Sequence, residues 1–279
     1  MNTLFCSVEL AARIEGAETQ LITSATEGAR QRVGASAFVM PVAGGAACYV
    51  EEGSPLNKIV GLGFGGVPSS ETLDQIEQAY AARATPTQVE LSNLADPAIG
   101  AALTSRGYQL VSFENVLGRS LDGVQAAQPQ GVEVRLSDDV AVYMDVVVDG
   151  FAHPDEQGVP SHEDFPREVI RRAMADMEKA GVTSYLAFRD GAVAGGGSMR
   201  MSQGVAQLTG AATAPAHRRR GVQTALLAAR LTEAARAGCD IAVVTTAPGS
   251  KSQQNVQRRD FHLLYTRAIL VKDLSLIHI

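Results

Sequence analysis

Cysteine is scarce in this chain, and its spacing does not suit the usual cysteine-based sites. Cys6, Cys48 and Cys239 are odd in number and include no C-x-x-C pair. A disulfide framework needs an even set of cysteines, and a zinc site needs closely spaced ligands. We therefore expect buried thiols, no disulfide bond and no metal.

Long apolar runs and a net positive charge are also missing. No apolar stretch reaches the ~18 residues of a membrane-spanning helix. The start, Met1-Asn2-Thr3-Leu4, lacks the basic and apolar parts of a signal peptide. A net charge of −6 argues against nucleic acid as a partner. We expect a cytoplasmic monomer or homodimer that binds a small molecule and neither nucleic acid nor a membrane.

A basic turn that leads directly into an uncharged helix start is the most informative feature present. Arg218, Arg219 and Arg220 precede Gly221, and the apolar helical segment 222–227 follows. The first turn of a helix leaves backbone amides unpaired and carries the positive end of the helix dipole. The pattern predicts a phosphate-binding turn, with a solvated basic surface as the alternative.

The segments around this turn predict a strand–turn–helix unit with more elements beyond it. Residues 205–213 have the pattern of a strand, and Gly210 within it predicts a bulge. The apolar run 241–244 is typical of a strand that is covered on both faces. Ser250 and Gln253 have the spacing of a helix capping box, and a further strand follows.

These motifs resemble the GCN5-related N-acetyltransferase (GNAT) family. In that family a bulged strand leads into an R/Q-x-x-G-x-G/A turn and a long helix, and then into a strand, an Asn-bearing helix and a Tyr-bearing strand. Arg218, Gly221 and Gln223 stand at the phosphate-turn positions. Asn255 stands at the pantetheine-contact position, and Tyr265 stands at the position of the general acid.

The resemblance covers about residues 131 to 272 and departs from the family at two positions. Gln223 replaces the second Gly or Ala of the turn, but its backbone amide is retained. Asp260 replaces the Gly before an aromatic residue, so it must adopt a left-handed conformation that Asp tolerates better than most residues. Neither departure removes a reacting group.

The resemblance implies acetyl-CoA as the co-substrate, with its pyrophosphate on the basic turn and its pantetheine arm beside the bulged strand. A backbone N–H in the bulge, residues 210–212, is expected to stabilise the oxyanion, and Tyr265 is expected to protonate the leaving thiolate. The implied cofactor-binding residues are Ala211, Ala212, Thr213, Arg218, Arg219, Arg220, Gly221, Val222, Gln223, Thr224 and Asn255.

An acidic segment, residues 149–165, would cover the acceptor site in the family fold. It contains five carboxylates and no Lys or Arg, which favours a cationic acceptor, with a solvated loop as the alternative. The strand 205–213 contains no Asp or Glu, so the usual position of the family's general base is empty. The substrate-binding candidates are Asp149, His153 and Glu156.

An internal repeat predicts a second, degenerate copy of this domain. The run Arg106-Gly107-Tyr108-Gln109-Leu110 resembles Arg259-Asp260-Phe261-His262-Leu263, which lies 153 positions later. The first copy has Gly65-Gly66-Val67-Pro68-Ser69 in place of an arginine turn, so we expect it to be structural or to form a dimer contact. Chance similarity is the alternative.

The predicted fold is α/β, with two acyl-CoA N-acyltransferase (GNAT)-like mixed-sheet sandwiches in tandem. We divide the chain into a degenerate domain (1–122), a linker (123–130), a catalytic domain (131–273) and a tail (274–279). The tail matches the translated end of a sequencing transposon and is interpreted as library-derived, with a natural tail as the alternative. Predicted elements are helices at 8–25, 70–84, 97–105, 139–148, 167–179 and 222–237, strands at 87–91 and 131–136, and a hairpin of 183–188 with 192–201.

The expected function is transfer of an acetyl group from acetyl-CoA to a primary amine of a small, cationic molecule, by direct attack in a ternary complex. The alternative is a non-catalytic acyl-CoA-binding or regulatory module.

Overall fold

The computed structural model describes residues 4–124, 129–137, 139–153 and 165–274, and these form one mixed sheet with helices on both faces. None of the helices in this part of the chain is long and apolar enough to cross a membrane. The helices are α1 (Val8–Val33), α2 (Ser70–Ala81), α3 (Ala98–Ser105), α4 (Val140–Ala152), α5 (Arg167–Lys179), α6 (Val222–Arg236) and α7 (Lys251–Gln257). The strands are β1 (Phe38–Val42), β2 (Gly45–Tyr49), β3 (Lys58–Val60), β4 (Thr87–Ser92), β5 (Gln109–Ser120), β6 (Glu133–Leu136), β7 (Thr183–Arg189), β8 (Ala192–Ser202), β9 (Val205–Thr213), β10 (Ile241–Thr246) and β11 (His262–Lys272).

Local sequence signals account for several of these bounds. The Ser250 hydroxyl accepts a hydrogen bond from the Gln253 amide at 3.2 Å, which confirms Ser250 as the N-cap of α7. The Gln253 side chain accepts from the Gly249 amide at 2.8 Å and not from that of Ser250, so the box is not reciprocal. Asp190 and Gly191 both have positive φ, 52° and 80°, as a two-residue hairpin turn between β7 and β8 requires. Asp260 has φ 62°, so it does adopt the left-handed conformation expected where the family has Gly.

The sheet joins the two halves of the chain by exchanging strands. Its order is β1-β2-β3-β4-β11-β5-β10-β9-β8-β7-β6 among the described residues. The last strand of the second half, β11, therefore lies between β4 and β5 of the first half. In the same way β5 lies between β11 and β10, so each half completes the sheet of the other.

The pairing of β5 with β11 follows the internal repeat. The antiparallel register shifts at two places. On β11 it shifts between Leu263 and Tyr265. On β5 it shifts between Ser112, which lies opposite Ile269, and Leu110, which lies opposite Leu270. Leu264 is the extra residue on β11, and Val111 is the extra residue on β5, and these two bulges are 153 positions apart. The spacing of 153 residues that relates the two sequence repeats therefore also relates the two bulges.

The two faces of the sheet carry different helices. On one face α2 and α3 cover the first half and α6 and α7 cover the second, with Tyr80 and Leu226 among the fully buried side chains. On the other face α1 crosses the middle of the sheet and packs against α5, which in turn contacts α4. The helix predicted over 8–25 extends to Val33, and it carries the buried carboxylate of Glu15 as well as buried apolar residues.

Candidate functional site

A split between two parallel strands opens in the middle of the second half. β9 and β10 are paired only from Val205 to Gln207, opposite Ile241 to Val243. Beyond this point β9 pairs with β8 alone, and β10 pairs with β5 alone. The predicted residues Ala211, Ala212 and Thr213 lie on the diverging part of β9. A splayed strand edge offers backbone N–H and C=O groups to an extended ligand.

The predicted bulge lies beside this split. The register between β8 and β9 passes from Ser198 opposite Thr209 to Gly196 opposite Ala212, so β9 carries one extra residue there. Gly210 has φ 46°, and a Cβ on it would lie 2.5 Å from the Tyr143 hydroxyl oxygen. Only glycine fits this position, which confirms the interpretation of Gly210 from the sequence.

Tyr143 on α4 fixes the orientation of the bulge. Its hydroxyl oxygen lies 2.9 Å from the Gly210 carbonyl oxygen and 2.8 Å from Ser198 Oγ. Because the peptide unit is planar and trans, the N–H of Ala211 points in the opposite direction from that carbonyl. Ala211 therefore has an oriented donor of the kind that stabilises a developing oxyanion. Tyr143 could not be identified from the sequence, where it is one residue on the apolar face of a predicted helix.

A buried arginine supports the strand behind the bulge. Arg230 on α6 is 3% exposed and donates from Nη1 to the Ser198 carbonyl at 2.8 Å and from Nε to the Leu226 carbonyl at 3.1 Å. Burial lowers its pKa to about 10. No carboxylate pairs with it within the described residues. Arg230 serves as a donor to backbone carbonyls, so it holds β8 in place against α6.

The predicted phosphate turn has the geometry of an anion site. Gly221 is the N-cap of α6 with φ 81°, and no side chain caps the helix. Arg219 also has positive φ, 61°. In the part of the chain that the structure describes, no acceptor takes a hydrogen bond from the amides of Val222, Gln223 or Thr224. These three orphan donors and the helix dipole favour a phosphate group.

Two further arginines join the predicted three at this turn. Arg189 donates from Nη1 to the Arg220 carbonyl at 3.2 Å, and Arg259 donates from Nη2 to Thr224 Oγ1 at 3.0 Å. Arg218 donates to the carbonyl of His153, while Arg219 and Arg220 are exposed. Neither Arg189 nor Arg259 could be assigned from the sequence, because each approaches from a distant element.

The split also contains unsatisfied polar groups that suit a long polar ligand. The hydroxyls of Thr213, at the end of β9, and Thr246, at the end of β10, are buried and have no hydrogen-bond partner among the described residues. A buried hydroxyl is costly unless it is paired. Asn255 on α7 is half-buried, one residue before Val256 in the core under α6. The turn, the bulge and these hydroxyls together fit the phosphates and amides of an acyl-CoA.

The comparisons with known proteins agree with this geometry. Residues 151–261 match the model of the acetyltransferase (GNAT) family. This segment belongs to the GNAT family. No curated protein matches the chain.

Solved structures show the same fold over most of the chain. A GCN5-related N-acetyltransferase from Kribbella flavida is 20% identical with a TM-score of 0.64, and the match covers 94% of this chain and 95% of that one. A tandem GNAT protein from the clavulanic acid biosynthesis pathway is 15% identical with a TM-score of 0.56, covering 81% and 73%. A GCN5-related N-acetyltransferase from Sphaerobacter thermophilus is 19% identical with a TM-score of 0.51, covering 73% and 65%. The predicted tandem GNAT-like fold is therefore confirmed.

Tyr265 lies apart from the phosphate turn of the GNAT domain. It stands on β11, which β5 separates from β10. Its hydroxyl donates to Glu15 Oε1 at 2.7 Å and is buried under α1. Burial, and then the charge of Glu15, raises the pKa of Tyr265 well above its ordinary value. Its predicted role as general acid stays a prediction, and the structure gives the hydroxyl a different partner.

The candidate acceptor residues occupy the end of α4. Asp149 Oδ1 lies 3.6 Å from His153 Nδ1 and 3.9 Å from Arg167 Nη2. Glu156 lies outside the described residues. The segment is free of Lys and Arg along the chain, but in space Arg167 and Arg218 lie against its first residues. Part of its negative charge is therefore already balanced.

A cluster of charged side chains lies under the sheet beside the split. Arg267 on β11 contacts Glu15 at 2.7 Å, Glu90 at 3.3 Å and Glu114 at 3.7 Å. Lys58 on β3 pairs with Glu90 at 2.5 Å. Burial, and then the charge of Glu90, raises the pKa of Glu114 to about 7. The sequence did not reveal this cluster, because its members come from four strands and a helix spread over the whole chain.

Proposed function

We propose that this chain is an N-acetyltransferase that moves an acetyl group from acetyl-CoA to a primary amine of a small, cationic molecule. One observation supports the proposal above all others. The open split, the bulge with its oriented Ala211 N–H and the phosphate turn at Gly221 follow one another in a single strand–turn–helix unit. This arrangement can hold an acyl-CoA and polarise its thioester at the same time.

The residues of this unit would divide the work of binding. The amides of Val222 to Thr224, with Arg218, Arg219 and Arg220, would hold the pyrophosphate, and Arg189 and Arg259 add positive charge. Thr213, Thr246 and Asn255 would hydrogen-bond the pantetheine arm, beside the backbone of Ala211 and Ala212. The bound thioester supplies the acetyl group. The Ala211 N–H, fixed through Tyr143, then stabilises negative charge on the carbonyl oxygen.

The acceptor is proposed to be a cation that attacks directly in a ternary complex. Residues 149–165 are rich in carboxylates. Among the described residues, the charged cluster beside the split brings Glu15, Glu90 and Glu114 together with Lys58 and Arg267, and Glu18 and Arg200 lie next to it. A cationic amine is attracted to such a surface. Tyr265 can protonate the leaving thiolate only after its hydroxyl exchanges Glu15 for the thiolate.

A non-catalytic acyl-CoA-binding module is the second candidate. Two observations favour it: β9 carries no carboxylate to act as a base, and the hydroxyl of Tyr265 is committed to Glu15. Such a module would bind acetyl-CoA through the same turn and release no thiol.

Calorimetry with acetyl-CoA, followed by a thiol-release assay, distinguishes the two. We expect acetyl-CoA binding in the absence of amine, and thiol release only when an amine is added from a panel of a polyamine, an amino sugar and an amino acid amide. Rapid quenching before the amine is added should show no early thiol release, because a ternary-complex reaction forms no acyl-enzyme. Tight binding with no thiol release on any amine would support the module. An early burst of thiol would contradict direct attack.

A further inference from the structure

The strand exchange places a carboxylate of the first half inside the sheet of the GNAT domain. β5 pairs with β10 from Ser120 opposite Ile241 to Asn115 opposite Thr246. Glu114 is the next residue on β5, just beyond the end of β10. A side chain from residue 114 thus lies beside the very strand that forms one edge of the split.

The register puts Glu114 at the level of the bulge. Gln207 is the last residue of β9 that pairs with β10, and it lies opposite Val243. Val243 in turn pairs with Gly118 on β5. β9 and β10 run parallel, and β5 runs antiparallel to both. Three to four residues after Gln207, β9 reaches Gly210 and Ala211. Three to four residues before Gly118, at the same level of the sheet, β5 has Asn115 and Glu114.

Glu114 also lies on the face from which an acceptor can approach. Val116, two residues along β5 and so on the same face, packs with Val205 and Val243 against α1. This is the face of α1, α4 and the Tyr143 side chain, whereas the phosphate turn begins α6 on the opposite face. An acetyl-CoA entering from the α6 face and an amine entering from the α1 face would meet in the split.

Among the carboxylates around Arg267, Glu114 is the accessible one. Its side chain is 29% exposed, whereas those of Glu15 and Glu90 are 2% and 3% exposed. Its pKa, raised to about 7 by burial and by Glu90, keeps it able to take a proton near neutral pH. The charged and titratable groups that face it are Arg267 and Tyr265 on β11, Glu90 on β4, Lys58 on β3, and Glu15 and Glu18 on α1.

We infer that Glu114, supplied by the first half, is the general base that deprotonates the acceptor ammonium; this inference rests on the proposed function. The carboxylate takes one proton from the ammonium, and the free amine attacks the thioester carbon. As the C–N bond forms and the C–S bond breaks, the sulfur keeps the electron pair. The thiolate gains the second N–H proton, and Glu114 returns its own proton to solvent. The degenerate half then has a chemical role as well as a structural one.

Titration of the protein without any ligand tests the inference independently of turnover. Glutamate labelled with ¹³C at its carboxyl carbon should show a resonance that titrates at about pH 7 in the wild-type protein. Burial also raises the pKa of Glu18, so the resonance of Glu18 is assigned separately as the one that is lost in Glu18→Gln. The resonance of Glu114 should be missing in Glu114→Gln and present in the control Glu133→Gln, where an exposed carboxylate on β6 is removed. A wild-type spectrum with no such carboxyl, or one in which it persists in Glu114→Gln, overturns the inference.

The pH dependence of kcat/KM provides the second test. With an amine found in the thiol-release panel, Glu114→Gln should lower kcat/KM by about 100-fold and remove the ascending limb near pH 7. Hydroxylamine is largely unprotonated at neutral pH, so its acetylation should change by less than about threefold. Glu90→Gln should keep the limb but move it to lower pH, because the charge of Glu90 raises the pKa of Glu114.

Glu18→Gln identifies the competing base. Glu18 on α1 accepts a hydrogen bond from Gln207 Nε2 at 2.8 Å and so also lies near the split. We expect Glu18→Gln to keep the ascending limb of the kcat/KM profile. If Glu18→Gln loses this limb and Glu114→Gln keeps it, the assignment of Glu114 is overturned. If Glu114→Gln does not fold, Glu114→Asp should retain the limb at a reduced rate. A wild-type protein that acetylates no amine contradicts the proposed function itself, whereas an unchanged Glu114→Gln contradicts only the role of Glu114.

Discussion

Glu114 and Arg267 lie directly opposite each other in the antiparallel pair of β5 and β11, and they are also 153 positions apart in the chain. Two residues that are equivalent in a repeat and paired with each other must lie at its two-fold axis. The axis of the tandem fold thus passes between a carboxylate and a guanidinium that are 3.7 Å apart. At this point the two halves carry opposite charges.

The elements around the axis keep the same offset. The bulges at Val111 and Leu264 are related by it, and so are the first residues of α3 and α7, Ala98 and Lys251. An axis with opposite charges on its two sides has a chemical consequence. Through the strand exchange, Glu114 of the first half lies in the sheet of the second half, which has the phosphate turn. Arg267 of the second half lies in the sheet of the first half, which lacks the turn.

Loss of the Arg267 charge should destabilise the protein strongly. Arg267→Met leaves Glu15 buried without its cation and leaves Glu90 with Lys58 as its remaining cation, and breaking a buried ion pair from one side costs about 3–5 kcal/mol. Urea unfolding at pH 7.5 measures the change in the free energy of unfolding. The control Arg135→Met removes an exposed partner of Glu133 and should have little or no effect. Equal effects of the two substitutions would contradict a structural role for the buried cluster.

The two ends of α6 allow a matched test of the phosphate turn. Gly221 and Gly238 have nearly the same φ, 81° and 83°. Gly221→Ala and Gly238→Ala should therefore carry the same backbone cost of about 1 kcal/mol each. Gly221→Ala should cost slightly more, because its Cβ would lie 3.2 Å from Pro129 Cβ. Only Gly221→Ala should raise the Kd of acetyl-CoA, by about tenfold, since it disturbs the amides of Val222 to Thr224. Calorimetry decides the matter, and equal Kd values for the two variants would argue against phosphate binding at this turn.

Tyr143→Phe should slow turnover more than it weakens binding. The substitution frees the Gly210 carbonyl, so the Ala211 N–H loses its fixed direction. Removal of one oxyanion donor costs roughly 100-fold to 1000-fold in kcat, and loss of its positioning should cost roughly 10-fold to 100-fold. The Kd of acetyl-CoA should change little. Tyr185→Phe is the control, because Tyr185 on β7 is also a buried tyrosine. A normal kcat in Tyr143→Phe would remove Tyr143 from the proposed site.

Local patterns predicted the second half of the fold well. The bounds of α5 and β9 agree with the sequence to the residue, because apolar spacing and the flanking turn residues specify them locally. In the first half, β1, β2 and β3 were not predicted. β2 is buried along its whole length and is only five residues long, so neither alternation nor length distinguishes it from a loop.

The candidate site was predictable only where its residues are close in sequence. The turn at Gly221 and the bulge at Gly210 are local features of strand, glycine and helix, and they could be read directly. Glu114, Tyr143 and Arg259 reach the site through strand exchange or helix packing. Their approach depends on the order of the strands in the sheet, which no short-range pattern contains.

Glu114→Gln should stabilise the protein at alkaline pH and leave it unchanged at acid pH. The pKa of Glu114 is raised from 4.5 to about 7 in the folded protein. The folded state therefore binds more protons than the unfolded state between these two values, and the wild-type protein loses stability as the pH rises through this range. The variant has no such loss. Its Tm advantage should be close to zero at pH 4, grow between pH 4.5 and about 7, and stay constant above that pH.

Thermal unfolding of both proteins across this pH range measures the effect, with Glu133→Gln as a control of opposite sign. Arg135 holds the pKa of the exposed Glu133 below its ordinary value, so that variant should gain nothing at alkaline pH. A lower Tm of Glu114→Gln above pH 7 would mean that the ion pair with Arg267 outweighs burial. A gain in stability together with a loss of activity would instead show that the fold retains a destabilising carboxylate because the chemistry requires it.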